Sequence, residues 1–319
     1  MPKKIQKDFT FIDLFAGVGG MRLAFESANG QCVFSSEWDK FSQKTYEANF
    51  GETPHGDITK IKPNKIPTFD VLLAGFPCQP FSTIGKRQGF AHPTQGTLFN
   101  RIERIMRYHR NKAFLLENVV GLQNHDGGRT LKVIEAALTS LNYKYDYKVL
   151  DAADFGVPQH RSRIYIVGQK SRRGGRTEFD WPVGKKSPAA IGPHVQTGVL
   201  NHSISKHLQE VYLFKKEDDR PQIIDTTSDF PVKTLVASYH KIQRLTGTFV
   251  RDGETGYRLL TADECKAIMG FPKEFKIPVS RTQMYRQMGN SVAVPVVTVL
   301  AKWIYADILK SSTAVQSAA

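Results

Sequence analysis

The chain has 319 residues, and its 44 Lys and Arg against 30 Asp and Glu give a formal net charge of +14 at pH 7. Hydrophobic content of 40% and charged content of 23% are ordinary for a soluble globular protein, and the length favours two domains. The three cysteines are too far apart for a zinc ribbon, and we expect neither a signal peptide nor a membrane span. The sequence therefore predicts a cytoplasmic protein with an acidic partner, nucleic acid being the first candidate.

A strand, a glycine turn and a helix open the chain. Residues 9–15 are typical of a strand, residues 16–20 (AGVGG) of a turn, and apolar side chains from Met21 to Ala28 of one helix face. This order begins a nucleotide-type βαβ unit, in which the helix N-terminus attracts an anion. Arg22 stands where the GxGxxG fingerprint has its third glycine, which argues against a dinucleotide and leaves a smaller adenosine ligand open.

Two acidic residues follow predicted strands beside this turn. Glu37 ends the second strand, where a carboxylate can accept hydrogen bonds from both ribose hydroxyls. Trp38 could cover an adenine ring, and Asp57, at another predicted strand end, could bind its amino group. The alternative is a surface carboxylate beside a core tryptophan. The acids and the turn together form a more specific pattern than any of them alone.

A cysteine between two prolines follows the apolar run of residues 71–74. Pro77 and Pro80 restrict the turn that carries Cys78, just past a predicted strand end, where open α/β sheets bind ligands. A buried structural thiol is the simpler alternative. Residues 79–96 then form a long polar segment with Lys86 and Arg87 near its tip. A loop of this length is typical of a functional lid, and its basic tip suits phosphate contact.

A carboxylate and two arginines complete a candidate site. Residues 112–116 predict a buried strand that ends at Glu117. If this strand neighbours the one before Cys78 in a parallel sheet, both side chains enter one crevice. Arg161 and Arg163 alternate on one face of an extended segment and could hold a carbonyl or a phosphate there, although such pairs are often only solvated.

The second half of the chain changes in texture. Residues 173–256 alternate short apolar stretches with Gly, Pro and Thr, which predicts a small β-rich domain. Within it, residues 233–244 mix aromatic, amide and basic side chains of the kinds that read bases. Thr261 with Glu264 predicts a helix-starting capping box, and residues 289–292 introduce an apolar C-terminal helix.

These stretches together resemble the DNA cytosine-5 methyltransferases, especially those of bacterial restriction–modification systems. The matching blocks lie in the family's order between residues 11 and 295: FAGVGG, SEWDK, GDIT, GFPCQPFS, GTLF, LLENVVGL, QHRSRIYIVG, RLLTADECKAIMGFP and MGNSVAVP. The resemblance implies an α/β fold with a Rossmann-like, S-adenosylmethionine-dependent domain at residues 1–172 and 287–319. It also implies a small β-rich target recognition domain, with a hinge, at residues 173–286.

The resemblance assigns roles to individual residues and implies no metal. Cys78 resembles the nucleophile, and Glu117, Arg161 and Arg163 resemble the residues of the cytosine pocket. The cofactor-binding set is Phe15, Gly17, Val18, Gly20, Glu37, Trp38, Asp57, Ile58, Pro77, Leu98, Asn290 and Ser291. The predicted DNA-binding set is Ser82, Lys86, Arg87, Gln159, Thr234, Tyr239, Lys241, Gln243 and Arg244. Residues 92–95 depart from the pattern common before the final glycine of the lid.

The expected partner is double-stranded DNA, bound by a monomer, with a cognate restriction endonuclease as a genetic rather than physical partner. Three alternatives stay open. An RNA (tRNA) cytosine-5 methyltransferase would share the fold, although the sizeable inserted domain favours DNA. A nicotinamide- or flavin-dependent oxidoreductase conflicts with Arg22 and leaves Cys78 and Glu117 unexplained. The presence of Cys78, Glu117 and Arg163 argues against a non-catalytic DNA-binding protein.

Overall fold

A computed structural model describes residues 7–77, 98–185, 187–216, 218 and 220–310. Cys78, Ser82, Lys86 and Arg87 lie outside the described residues, as does the predicted lid.

One seven-stranded sheet dominates the structure, in the order β2-β1-β3-β4-β6-β5-β7. Its strands are β1 (Phe9–Leu14), β2 (Gly30–Ser36), β3 (Val71–Gly75), β4 (Ala113–Val119), β5 (Tyr143–Asp151), β6 (Ser162–Lys170) and β7 (Gly175–Arg176). Strands β2, β1, β3 and β4 run parallel, whereas β6 is antiparallel to both β4 and β5. The carboxyl ends of β1, β3 and β4 therefore meet the beginning of β6 at one edge of the sheet.

Helices cover both faces of this sheet. The described helices are α1 (Gly20–Ser27), α2 (Lys40–Phe50), α3 (Leu98–His109), α4 (Arg129–Ser140), α5 (Lys206–Leu208), α6 (Ala262–Met269), α7 (Arg281–Asn290) and α8 (Val294–Trp303). Alternate side chains of β1 enter two cores: Phe9 and Phe11 pack with α1 and α8, and Ile12 and Leu14 with α3 and α4. The C-terminal helix thus returns to pack on the first helix.

Among the described helices, the stretch Arg281–Leu309 is long and apolar enough to cross a membrane by length and composition alone. It has 29 residues, and its most apolar 18 residues have a mean hydropathy of 1.7. It is divided into α7 and α8 at residues 291–293, and Val296, Val297 and Leu300 are fully buried in the core shared with α1. The core helices of folded proteins pass the same test.

The α/β fold class is confirmed, and the small domain is less regular than predicted. We call the described residues between 177 and 280 the small region. Its described strands are the paired β8 (Gln222–Ile224) and β9 (Thr248–Val250), joined by loops and short helices. The predicted start of this domain, at residue 173, includes β7, which pairs with β5 in the large sheet. Its boundaries stay a prediction.

A buried ion pair organises the end of the small region. Arg258 and Glu264 are both fully buried, and the guanidinium donates to both carboxylate oxygens at 2.8 and 2.9 Å. Glu264 also accepts the backbone N–H of Thr261, while its own N–H bonds the threonine hydroxyl, so the predicted capping box is present. Arg258 Nε donates to Asp252 at 2.9 Å, which connects α6 to the loop after β9.

We predict that Glu264→Gln lowers the free energy of unfolding by about 3–5 kcal/mol, because it leaves a buried guanidinium without its matching charge. Asp263→Asn is the matched control. Asp263 is half-exposed on the same helical turn and pairs with Lys266, so its loss should cost no more than about 1 kcal/mol. Urea denaturation followed by circular dichroism measures both variants, and equal losses would contradict the assignment.

Candidate active site

The turn after β1 is shaped by close packing. Phe15, Gly17 and Gly19 all have positive φ (57°, 55° and 90°), and Phe15 is the one among them for which this conformation is strained. A Cβ at Gly19 would lie 2.3 Å from the Phe50 ring, and one at Gly20 would lie 2.9 Å from the Ser291 hydroxyl. These two glycines therefore allow α2 and the loop before α8 to approach the turn, in addition to any ligand.

Arg22, which replaces the third glycine of the dinucleotide fingerprint, packs against aromatic rings of α2. Its guanidinium lies over the rings of Tyr46 and Phe50, 5.3 and 4.4 Å from their centroids, and donates to the Tyr46 hydroxyl at 2.9 Å. It also pairs with Glu26 at 2.7 Å and with Glu52. The residue is 8% exposed, so its role is to pack α1 against α2.

The two predicted acids sit on one side of the turn. Each carboxylate oxygen of Glu37 accepts one backbone N–H, from Gly17 at 2.8 Å and from Asp39 at 2.7 Å, and each keeps a further lone pair. Burial raises the pKa of Glu37. Asp57 caps a short 3₁₀ turn by accepting the N–H of Thr59, and hydrogen bonds from the side chain and the backbone of Thr59 lower the pKa of Asp57. The expected strand before Asp57 is reduced to a single bridge between Ser36 and His55.

A cavity of about 700 Å³ joins these residues to the edge of the sheet. All twelve residues of the predicted cofactor set line it, together with Glu117, Arg161 and Arg163. Trp38 is 77% exposed on its rim, which corrects the alternative of a core tryptophan. The fold therefore brings the residues of the predicted cofactor site and the described residues of the predicted cytosine pocket into a single cavity.

Glu117 and Arg163 form the charged end of the cavity. Parallel pairing sets Gly75 opposite Glu117, and antiparallel pairing sets Val119 opposite Arg163. Arg163 Nε lies 3.3 Å from Glu117 Oε1, with both side chains largely buried. Burial raises the pKa of the Glu117 carboxyl, and the nearby Arg163 and Arg161 oppose that rise. Such a carboxyl can hold a proton more readily than one in water.

Asn118 fixes the approach to the cysteine. Its amide donates to the carbonyl of Phe76 at 2.7 Å, and its oxygen accepts the N–H of Val119 at 2.9 Å. The side chain is 3% exposed. Pro77, the last described residue before Cys78, lines the cavity. Asn118 thus ties the end of β3 to the end of β4, a role that the sequence analysis missed although the Asn directly follows Glu117.

Arg161 is buried at the junction of three segments. Nη1 donates to the carbonyl of Leu235 at 3.0 Å, and Nη2 donates to the carbonyls of Gly289 and Ser291 at 2.9 and 2.6 Å. Burial and the neighbouring Arg163 lower the pKa of Arg161 to about 10, so the guanidinium stays charged near neutral pH.

The predicted DNA-reading residues separate into two groups. Gln159, Tyr239 and Arg244 are at most 5% exposed, and their polar groups are bonded within the protein. We withdraw these three residues as base contacts, because reading a base would break those bonds. Thr234 and Gln243 are half-buried and Lys241 is exposed. Between the last two, Ile242 holds a φ of 53°, a strained value for a β-branched residue.

The cavity wall contains buried polar atoms that are available to hydrogen-bond a ligand. Among the described residues, no hydrogen-bond partner is present for four buried side-chain atoms of the cavity lining: Asp13 Oδ2, Ser36 Oγ, Arg161 Nε and Gln287 Nε2. Burial raises the pKa of Asp13 to about 7. Buried polar groups without partners are rare in folded proteins and need an explanation, which a polar ligand and its waters supply. Asp13, Ser36 and Gln287 were not predicted, since only the fold brings them to the cavity.

These features fit S-adenosylmethionine. Carboxylates with free lone pairs suit the ribose hydroxyls and the adenine amino group, and an exposed indole suits the adenine face. The cavity volume is typical of small-molecule sites. Among the described residues, no cluster of His, Cys, Asp and Glu could hold a metal ion.

Comparison with known proteins agrees with this site. The family model for C-5 cytosine-specific DNA methylases matches residues 9–306. The Type II methyltransferase M.MspI of Moraxella sp is 58% identical over 297 residues, which cover 93% of this chain and 70% of that protein. M.BsuFI of Bacillus subtilis, also a Type II methyltransferase, is 60% identical over 296 residues, covering 92% and 71%.

Solved structures with low sequence identity share the fold. The S. pombe Dnmt2 methyltransferase superposes with a TM-score of 0.76 at 20% identity, covering 93% of this chain and 98% of that one. The Entamoeba histolytica methyltransferase EhMeth gives 0.75 at 21% identity, covering 95% and 99%. With the family model matching nearly the whole length, the chain belongs to the C-5 cytosine-specific DNA methylases.

Proposed function

We propose that this protein transfers the methyl group of S-adenosylmethionine to C5 of a cytosine flipped out of a short, specific duplex sequence. The observation that carries the proposal is the pairing of Glu117 with Arg163 at 3.3 Å, in the cavity that Pro77 also lines immediately before Cys78. The protein would serve as the modification enzyme of a restriction–modification system, acting as a cytoplasmic monomer. Its similarity to Type II methyltransferases supports the role as a modification enzyme.

Cys78 supplies the nucleophile in this proposal. Cytosine C5 is a poor nucleophile until a thiolate adds to C6 and turns the ring into an enamine. The thiol must lose its proton to do so, and the positive charge of Arg163 close to the strand ends favours the thiolate. After methylation a base removes the C5 proton, and elimination releases Cys78.

Glu117 and Arg163 hold the cytosine ring. A protonated Glu117 donates to N3 as the thiolate attacks C6, which neutralises the charge that develops on the ring. Its burial favours the protonated form, and Arg163 in turn is placed to bind O2. The base must leave the duplex to reach this crevice, because C5 and C6 are inaccessible within the stack.

The cofactor residues act by binding and orienting. S-adenosylmethionine, when bound, supplies an electrophilic methyl group. Glu37 would accept the ribose hydroxyls, Asp57 the adenine amino group, and Trp38 would cover the ring. The glycine turn and residues 289–291 would hold the remainder against the end of β1.

The alternative substrate is RNA, since an RNA (tRNA) cytosine-5 methyltransferase would share the same fold. Identity of 58–60% with Type II methyltransferases favours DNA. Methyl transfer from labelled S-adenosylmethionine to duplex DNA, compared with tRNA, tests the choice, and bisulfite mapping then gives the modified site.

We predict that Glu37→Gln and Asp57→Ala weaken binding of S-adenosylhomocysteine about tenfold or more, because each loses a charge-assisted hydrogen bond. Isothermal calorimetry measures the affinity. Glu47→Ala, on the exposed side of α2, is the control and should leave it unchanged. Wild-type affinity in both site variants would remove these acids from the cofactor site.

We predict that a duplex with 5-fluorocytosine at the target traps the enzyme covalently after methyl transfer, because no C5 proton can leave. The adduct should require S-adenosylmethionine, survive denaturing electrophoresis and map to the peptide that contains Cys78. Glu117→Gln should slow trapping strongly, since N3 is no longer protonated as the thiolate adds.

Cys78→Ser is the control for this trap. A hydroxyl is far less ionised than a thiol near neutral pH, so trapping should be abolished while DNA binding remains. An adduct on Cys32 or Cys265, or efficient turnover of the fluorinated duplex, would refute the nucleophile.

We predict that residues 173–256 determine the DNA sequence that is modified. Replacing them with the corresponding segment of a relative of known specificity should transfer that specificity, and bisulfite mapping of methylated DNA reads the result. An active chimera that still modifies the original site would locate the reader elsewhere in the chain.

A further inference from the structure

A ladder of hydrogen bonds joins the segment before β6 to one segment of the small region. Val232 N–H donates to the Pro158 carbonyl and His160 N–H to the Val232 carbonyl, both at 2.9 Å. The Thr234 hydroxyl donates to the His160 carbonyl at 2.6 Å, and Leu235 N–H to the Gln159 side chain at 2.7 Å. We call residues 158–161 and 232–235 the junction ladder. Thr234, a predicted DNA contact, is thereby bonded to the segment that leads into β6, the strand that carries Arg163.

Arg161 extends the junction ladder to the cofactor side of the cavity. Its guanidinium holds the carbonyl of Leu235 on one side and those of Gly289 and Ser291 on the other. The latter two flank Asn290, a member of the predicted cofactor set that lines the cavity. One buried side chain therefore contacts the backbone next to a predicted DNA contact and next to a predicted cofactor contact.

The contacts of Arg161 differ from those of a base-binding residue. Both of its terminal nitrogens are engaged with main-chain carbonyls, and the residue is 3% exposed. Arg163, two residues on, has Nε beside Glu117 and is the arginine placed to meet a cytosine. Arg161 therefore binds main-chain carbonyls, whereas Arg163, at the next alternate position, faces Glu117.

We propose that Arg161 is a positioning residue that couples cofactor binding to DNA binding, an inference that rests on the proposed function. When a cofactor fixes residues 289–291, their carbonyls fix the guanidinium, and the guanidinium fixes Leu235 beside Thr234. DNA then meets a segment that is already ordered and loses less conformational entropy on binding. Thermodynamic linkage requires the reverse effect to be equal, so DNA strengthens cofactor binding by the same factor.

The test measures the affinity of a fluorescent duplex that the wild-type enzyme methylates, with and without saturating S-adenosylhomocysteine. The ratio of the two dissociation constants is the coupling factor. We expect about a tenfold ratio in the wild type, within the range usual for coupled sites. Arg161→Met, which keeps the length and removes the donors, should bring the ratio to within about twofold of unity. Arg161→Lys keeps the charge but cannot hold carbonyls on both sides at once, so it should lower the ratio in the same way.

Arg244→Met is the matched control. Arg244 is also a buried arginine bonded to main-chain carbonyls of the small region, those of Leu213 and Lys216, and it pairs with Asp218. Its loss should reduce stability and can weaken DNA binding, but the coupling factor should stay at the wild-type value. A merely structural role for Arg161 predicts the same behaviour for both variants.

A second measurement needs no variant. Adding S-adenosylhomocysteine to the wild-type protein should slow amide hydrogen exchange at Leu235 and its neighbours as well as around the cavity. Protection confined to the cavity would overturn the proposal, as would a wild-type ratio of one, or a ratio unchanged in Arg161→Met. Failure to methylate DNA or to bind the cofactor product would instead refute the proposed function, so the two failures are distinguishable.

Discussion

The parallel pairing of β3 with β4 is the constraint on which the site depends. It sets Gly75 directly opposite Glu117, so the strand that leads to Cys78 and the strand that carries the carboxylate end side by side. Antiparallel β6 then enters from the opposite direction and brings Arg163 to the same edge. In a sheet that was parallel throughout, the start of β6 would lie at the far edge, and the arginine could not reach Glu117. The reversal of one strand therefore assembles the charged end of the cavity.

The buried charges of this chain are used in two different ways. Arg258 and Glu264 are fully buried and satisfy each other with two hydrogen bonds, an arrangement that fixes a structure. Glu117 Oε1 and Arg163 Nε lie 3.3 Å apart, and both residues line the cavity. A ligand could reach Arg258 and Glu264 only by disrupting the core around them, because both are fully buried. Glu117 and Arg163, in contrast, already face the cavity.

Sequence patterns predicted most of the helices and strands, because hydrophobic periodicity and the residue types that end a strand are local signals. The glycine turn, the strand before Glu117 and the capping box of α6 were all predicted and are present. Helix α7 was missed because it has few apolar residues and starts without a side-chain cap. The described residues before Asp57 form a single bridge, between Ser36 and His55, instead of the expected strand.

Burial was the harder property to predict. Gln159, Tyr239 and Arg244 have side chains that could read bases, and the sequence contains no sign that each would find partners inside the protein. Their partners lie at Ile268, Thr248 and Leu213, and the first of these is 109 residues away along the chain. Such contacts depend on how the small region packs on the sheet, which is a long-range property that residue type does not encode.

The segment that enters β6 contacts several separate parts of the protein through its two faces. Successive side chains point to opposite faces, so His160 and Ser162 both turn towards Asp151, at 3.1 and 3.4 Å. The alternate residues Gln159, Arg161 and Arg163 face the other way and meet α6, the junction of Leu235 with residues 289–291, and Glu117 in turn. A shift of one residue in strand register would exchange these two faces at once. The register of β6 against β4 and β5 therefore determines both how the small region meets the sheet and where the charged end of the cavity lies.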